Sequence, residues 1–249
     1  MPAILRCINV SKHFGAVKAV DGATISVEEG TLHSIIGPNG AGKTTLFNCI
    51  SGELNPTSGE ILFDGVRISG RQPFELPAFG IGRSFQKTSI FPSLTVAENV
   101  WITAFRKQAG GAIELYRDAD HRDDVKARIA DTLHKVGLAA DAGRPAATIG
   151  HGGQRLLDLA IALAPGPRLL LLDEPAAGLS APDTRTVARL IESLKGQLTI
   201  LLIEHKMDVV MSLSDRISVM HLGRVLAEGT PGEVAADGRV REAYLGRRA

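Results

Sequence analysis

The chain has 249 residues, enough for one large domain or two small lobes around a real core. A hydrophobic share of 44% with 22% charged residues is ordinary for a globular protein, and a formal net charge of +1 gives no global field to draw it to nucleic acid or acidic lipid. No apolar run approaches the roughly 18 residues needed to cross a bilayer, nothing at the start resembles a charged-then-apolar leader, and two cysteines without metal-ligand spacing argue against a disulfide framework or a zinc site.

Residues 4 to 29, "ILRCINVSKHF" then "AVKAVDGATISVEEG", alternate and turn, so short strands of an antiparallel β layer are expected there. "TLHSIIG" is an apolar strand running straight into glycines. "TTLFNCISGEL" follows with Leu46, Phe47 and Ile50 on one helical face. "SGEILFDGVRI" predicts a hairpin turning at Asp64-Gly65. Residues 106 to 165 change character. "HRDDVKARIADTLHKVGL" sets Val125, Ile129, Leu133 and Val136 at helical spacing, and "GGQRLLDLAIALAP" reads as a second helix opened by glycines and closed by Pro165. "RLLLLDEP" and "LTILLIEH" read as buried strands, and "RISVMHLGRVLAEG" as two late strands around Leu222-Gly223. Cys7 and Cys49 read as small buried hydrophobes, and the basic ending as a solvated tail.

The strongest local signal is "GPNGAGKTT", residues 37 to 45, which fits G-x-x-x-x-G-K-[ST] between a strand and a helix. Gly37, Gly40 and Gly42 let the backbone curl through Pro38, Asn39 and Ala41, so that N–H groups point inward at phosphate oxygens. The helix adds its positive end with Lys43, Thr44 and Thr45. Lys43 brings a compact charge to the β- and γ-phosphates, and the Thr44 hydroxyl can ligate Mg²⁺. Taken alone, the loop does not separate ATP from GTP. "LLLLDEP" then ends a buried strand with Asp173, expected in the Mg²⁺ shell, and Glu174, placed to orient or deprotonate the attacking water.

With these motifs in this order, the chain resembles an ABC transporter ATPase subunit over nearly its whole length. The resemblance implies an α/β fold: a P-loop NTPase core with a mainly parallel sheet, an antiparallel β subdomain and an α-helical insert. Residues 1–249 would form one ABC ATPase domain, with 1–105 and 166–249 as the nucleotide-binding core and β layer, and 106–165 as the helical subdomain. It implies that Phe14, with Val20 close behind, stacks on adenine, which favours ATP. It implies that Gln86 in "GRSFQ" reaches Mg²⁺ and the water, and that His205 in "LLIEH" contacts the γ-phosphate. Within the family, "GIGRSFQ", "LTVAENV", "DEPAAGL", "LLIEHKMDVVMSLSDRISVM" and "VREAYLG" are most similar to importer subunits for branched-chain amino acids. That group implies a peripheral place at the cytoplasmic face of the inner membrane. It also implies a second ATPase subunit, identical or different, transmembrane permease subunits, and indirectly a periplasmic substrate-binding protein, with no nucleic acid.

"IGHGGQR", residues 149 to 155, aligns with the family's signature loop, which binds the γ-phosphate of ATP held by the opposite subunit. Gly150, His151 and Gly152 are the candidate nucleotide contacts. The usual leucine is Ile149, the usual serine is Gly150, and the group's glutamate is Gly153. A serine hydroxyl would give one charge-assisted hydrogen bond of about 1.5–3 kcal/mol. What survives is backbone N–H at a helix start, so the loop reads as attenuated rather than absent. Ser180 in "AAGLSAP" stands where the family usually has aspartate. Ile90, Phe91 and Trp101 suit either a docking surface for a permease or the core. Two other readings stay open: a regulatory ABC protein that hydrolyses little, and an ATPase of another ABC transporter, for urea, amide or lipid.

Overall fold

A computed structural model describes residues 2–84, 90–106 and 120–245. In chain order the elements are β1 (Ala3–Phe14), β2 (Val17–Glu28), β3 (Leu32–Ile36), α1 (Lys43–Ile50), β4 (Ser58–Phe63), β5 (Val66–Arg67), β6 (Ile81–Arg83), α2 (Val96–Arg106) and α3 (Asp120–Lys135). They continue with α4 (His151–Leu163), β7 (Leu169–Asp173), α5 (Ala181–Leu194), β8 (Thr199–Ile203), α6 (Met207–Leu213), β9 (Arg216–His221), β10 (Arg224–Gly229), α7 (Pro231–Ala236) and α8 (Gly238–Leu245). Two compact units form. One takes in the chain up to Phe79, Leu171–Glu174 and the chain from Leu194 onward; the other is Gly80–Leu170 with Pro175–Ser193.

The first unit holds two sheets. One is antiparallel, in the order β2-β1-β4-β5. Its first pair is longer than the short strands expected from the sequence: β1 and β2 have 12 residues each. Register shifts such as that between Cys7 and Val10 break the alternation of side chains, so one bent strand reads as separate pieces. The β4–β5 hairpin turns at Asp64-Gly65, both with positive φ, as a two-residue hairpin loop requires.

The other sheet runs β10-β9-β3-β8-β7, with β3 parallel to both β8 and β9, and β9 antiparallel to β10. All five residues of β3 and all five of β8 are buried. Strands covered on both faces do not alternate: β8 is apolar after Thr199, and the two buried polar residues of β3, His33 and Ser34, are hydrogen-bonded to Ser218 and Ser214. Leu46, Phe47 and Ile50 of α1 are buried as the spacing predicts. Ile36, Ile217 and Val219 pack with Val210 of α6, Val234 of α7 and Val240 of α8. Thr230 and Glu233 close a reciprocal capping box at the start of α7.

The second unit is mainly helical. Val125, Ile129, Leu133 and Val136 are all buried, with Val96 and Val100 of α2 and Leu157 and Leu159 of α4. Thr95 and Glu98 cap α2 reciprocally. The buried Asn99 side chain accepts from the Phe91 amide and donates to the Phe91 and Thr95 carbonyls, fixing the turn into α2. At the start of β7 the amides of Arg168 and Leu169 donate to the Gly80 carbonyl, placing β6 alongside. No helix among the described residues is long and apolar enough to cross a membrane.

Both cysteines are buried and free. Burial pushes the Cys7 thiol up to about 12, with Cys49 adding to the rise. Burial likewise takes Cys49 to about 11, against the opposing charge of Lys12. Unfolding returns both towards their ordinary value of 9.0, so the unfolded chain sheds protons that the native chain keeps. Their contribution to stability is therefore full below about pH 9 and falls as the pH rises through it. Urea midpoints measured on either side of about pH 9 should decline with pH, and Cys7→Ala should flatten that decline.

Candidate functional site

β3 delivers its chain end into the loop 37–42, and α1 begins at once after it. Sterics shape this loop. A side chain on Gly37 (φ 153°) would put its Cβ 2.2 Å from the Met220 carbonyl oxygen, and one on Gly42 (φ 97°) would sit 2.3 Å from the Ala19 carbonyl oxygen. Only glycine fits either place. The first helical bond of α1 runs from the Leu46 amide to the Gly42 carbonyl, so the amides of Lys43, Thr44 and Thr45 precede the ladder. Asn39, Gly40 and Thr44 are exposed, while Gly37, Pro38 and Thr45 are half-buried and Ala41 is buried. The Ala41 carbonyl accepts from the Gly223 amide, which anchors the loop to the β9–β10 turn.

Lys43 is buried, and its Nζ donates to the carbonyls of Gly37 at 2.7 Å and Pro38 at 3.0 Å. Burial holds its pKa below the ordinary lysine value, while the charges of Glu174 and Asp173 pull it back up. Both carboxylates are thus close enough to act on the ammonium. Asp173 is buried at the end of β7. Glu174 follows with φ 48°, sparsely populated for a side-chain-bearing residue, and its amide donates to the Ile203 carbonyl at the end of β8. That tether sets Glu174 beside His205, whose Nδ1 lies 3.6 Å from Glu174 Oε1. The same nitrogen is 3.6 Å from Oε1 of the buried Glu204, which accepts from the amides of His205 and Lys206. Sequence reasoning passed over Glu204, because in "LLIEH" it reads only as the residue before the histidine.

The site thus gathers helix-end amides, an ammonium, the Thr44 hydroxyl and the Asp173 carboxylate. This is the donor set for a triphosphate and a hard cation such as Mg²⁺. Phe14 ends β1 with 49% of its surface exposed, and Lys12 Nζ lies 5.2 Å from its ring centroid. It belongs to the hairpin whose Ala19 carbonyl meets Gly42, so its open ring lies on the element that packs against the loop. Gln86 lies outside the described residues.

The second unit carries the other candidate residues. Gly150 is the N-cap of α4, extended at φ −62°, ψ 169°, with no side-chain cap. His151 is exposed at the first helical position and Gly152 follows it. Nothing lies within 4 Å of where a Cβ on Gly150 would sit. Serine, a preferred N-cap residue, therefore fits that position without strain. One turn on, Arg155 points inward. It pairs with the buried Asp158 at 3.4 Å, and its Nε donates to the Pro175 carbonyl at 2.9 Å. Sequence pattern gives Arg155 a place in the loop but not this interior role.

The family profile for the ABC transporter matches residues 20–177, and that for the branched-chain amino acid ATP-binding cassette transporter matches residues 224–249. The chain is 39% identical over 249 residues to the high-affinity branched-chain amino acid transport ATP-binding protein BraF of Pseudomonas aeruginosa, covering 98% of each. It is 38% identical over 239 residues to LivG of Escherichia coli, of the same description, covering 94% of each. Among solved structures, the ADP conformation of MJ1267, an ATP-binding cassette of an ABC transporter, superposes with TM-score 0.87 at 32% identity, over 99% of this chain and 100% of that one. The dimeric bacterial ABC transporter cassette MJ0796 gives 0.76 at 26% identity, over 91% of this chain and 98% of that one.

Removing the ammonium from this cradle should cost a charge-assisted bond to phosphate. Lys43→Ala should weaken Mg²⁺-ATP binding by at least about tenfold. Calorimetry on the purified chain measures it, with a melting curve to show that the variant still folds.

Proposed function

This chain belongs to the ABC transporter ATP-binding family, and on that premise we propose that it is the ATP-hydrolysing subunit of an importer for branched-chain or related amino acids. The observation that carries the reading is the convergence on Lys43 of Asp173 and Glu174, with His205 beside Glu174. The whole-length likeness to BraF and LivG and the match of the tail support the cargo class.

The amides of Gly40 through Thr45 and the Lys43 ammonium bind the β- and γ-phosphates, and Phe14 stacks on the base. Thr44 and Asp173 would hold Mg²⁺, joined by Gln86 on the strength of the family resemblance. Mg²⁺, when bound, draws off charge from the phosphate oxygens. Glu174 aligns the attacking water and takes up its proton, and His205 contacts the γ-phosphate while staying within ion-pair distance of Glu174. Two such subunits, identical or not, sandwich two ATPs head to tail. Each γ-phosphate then meets Gly150, His151 and Gly152 of the facing chain. Closure uses the differential affinity of the closed state for ATP, and hydrolysis releases it.

Transmembrane permeases take up that motion and hold the subunit at the cytoplasmic face of the inner membrane, with a periplasmic binding protein supplying cargo. In the helical unit, Trp101 borders an apolar groove with Ala97, Ile129 and Leu133, and Phe91 is exposed nearby in sequence. Permease contact at this face accounts for aromatic side chains left in water.

Glu174→Gln should leave ATP binding intact and lower steady-state phosphate release by at least about a hundredfold, whereas equal rates in both proteins would leave only the low-hydrolysis regulatory reading. Gly150 favours that second reading in part, since it withholds one hydrogen bond from the facing phosphate. Gly150→Ser should raise turnover or ATP-dependent association by up to about tenfold, read from phosphate release with membranes carrying the permeases.

A further inference from the structure

α5 opens on a reciprocal cap. Ser180 Oγ donates to Asp183 Oδ2 at 2.6 Å, and the Asp183 amide points back at Ser180 Oγ at 3.3 Å. The other carboxylate oxygen faces a different helix. A methyl built on Gly152, in the first turn of α4, would come 2.4 Å from Asp183 Oδ1 and 2.6 Å from its Cγ. Gly152 is therefore in direct contact with the carboxylate, and one acid serves the first turns of two helices.

α4 has no acidic residue of its own in that turn and no side-chain cap on Gly150. Arg155, the cation nearest in its own sequence, is turned inward on Asp158 and the Pro175 carbonyl. Asp183 thus places a fixed negative charge at this helix end. A carboxylate there favours the helix dipole but repels a second anion arriving at the same amides.

We propose that Asp183 is a positioning residue for phosphate at the α4 N-terminus, a fixed charge that weakens docking of the facing γ-phosphate. The inference rests on the reading of α4 as the γ-phosphate contact of an ABC clamp. It adds a second source of attenuation to the missing hydroxyl at position 150. The contact also ties the segment following Glu174 in sequence to the first turn of α4, so a shift of that segment carries the charge with it.

The test uses the intact ¹⁵N-labelled chain and inorganic phosphate as the probe. Amide resonances of residues 150–154 report on α4, and those of residues 40–45 report on the phosphate loop. Asp183→Asn keeps the shape of the side chain and the acceptor for Ser180. It should tighten the phosphate response at 150–154 by about three- to tenfold and leave the response at 40–45 unchanged. The gain should shrink at about 0.5 M salt, which a purely structural effect would not do. Asp183→Ser, which also removes the charge, should move the response the same way and keeps the test alive if the first variant melts early. Equal or weaker phosphate affinity at 150–154, or no response there in any form, overturns the inference. Failure of ATP to move 40–45 in the wild type would instead overturn the ATPase reading itself.

Discussion

The ammonium of Lys43 is drawn out of water and held against the carbonyls of Gly37 and Pro38, and most of the site follows from that placement. A buried cation is costly unless polar groups surround it. The curl of the loop supplies two carbonyls, and the end of β7 supplies two carboxylates whose charges oppose the effect of burial. The loop keeps its curl because the backbone of Met220 and of Ala19 stands where side chains on Gly37 and Gly42 would be. β9 and the β1–β2 hairpin are therefore part of the site's machinery, although neither bears a residue of the phosphate motif. A loosened hairpin would loosen the loop, and with it the position of the charge.

The carboxylate side of the site is fixed in a comparable way. Glu174 sits at a φ that most residues avoid, held by its amide's bond to the Ile203 carbonyl. Such strain persists only where surrounding structure imposes it. Here β8 does so, and the same strand end presents His205. Pairing β7 with β8 thus sets the Glu174–His205 separation by sheet register rather than by flexible loops. Glu204, with its side chain folded back on the amides of His205 and Lys206, shapes the turn that aims the histidine.

How far the sequence carries depends on whether a feature is local. The phosphate loop was legible because it is a run of backbone demands met by glycine and lysine at fixed spacing. The Asp64-Gly65 and Leu222-Gly223 turns were legible for a similar reason, and all four residues take positive φ. Helix α3 was legible from its apolar spacing. The length of β1 and β2 was obscured because bulges disturb alternation. The inward turn of Arg155, the role of Glu204 and the contact of Asp183 with Gly152 were not legible at all. Each depends on a partner distant in sequence or on the direction of one side chain, and neither leaves a periodic trace. The surroundings of Trp101 fell between these cases, since an aromatic at helical spacing suits a core and a groove equally.

In the proposed clamp, Gly150 shows most directly how a local change would act at a distance. Its backbone is extended and the space beside it open, so neither conformation nor packing demands glycine there. The consequence of the missing side chain is therefore chemical rather than structural. In a head-to-tail clamp, a chain's phosphate loop and its α4 end serve different nucleotides. Under the proposed reading, a weakened α4 would leave the chain's own grip on ATP through Lys43 intact and would lower closure only at the site whose phosphates the other subunit holds. If the partner is a different chain with a complete signature loop, the two sites become unequal: one is gripped from both sides and the other mainly from one. If the partner is identical, both sites would inherit the weakness and the closed state would be short-lived. The same substitution thus gives a lopsided clamp in one assembly and a weak one in the other, because interfacial binding depends on both faces at each site.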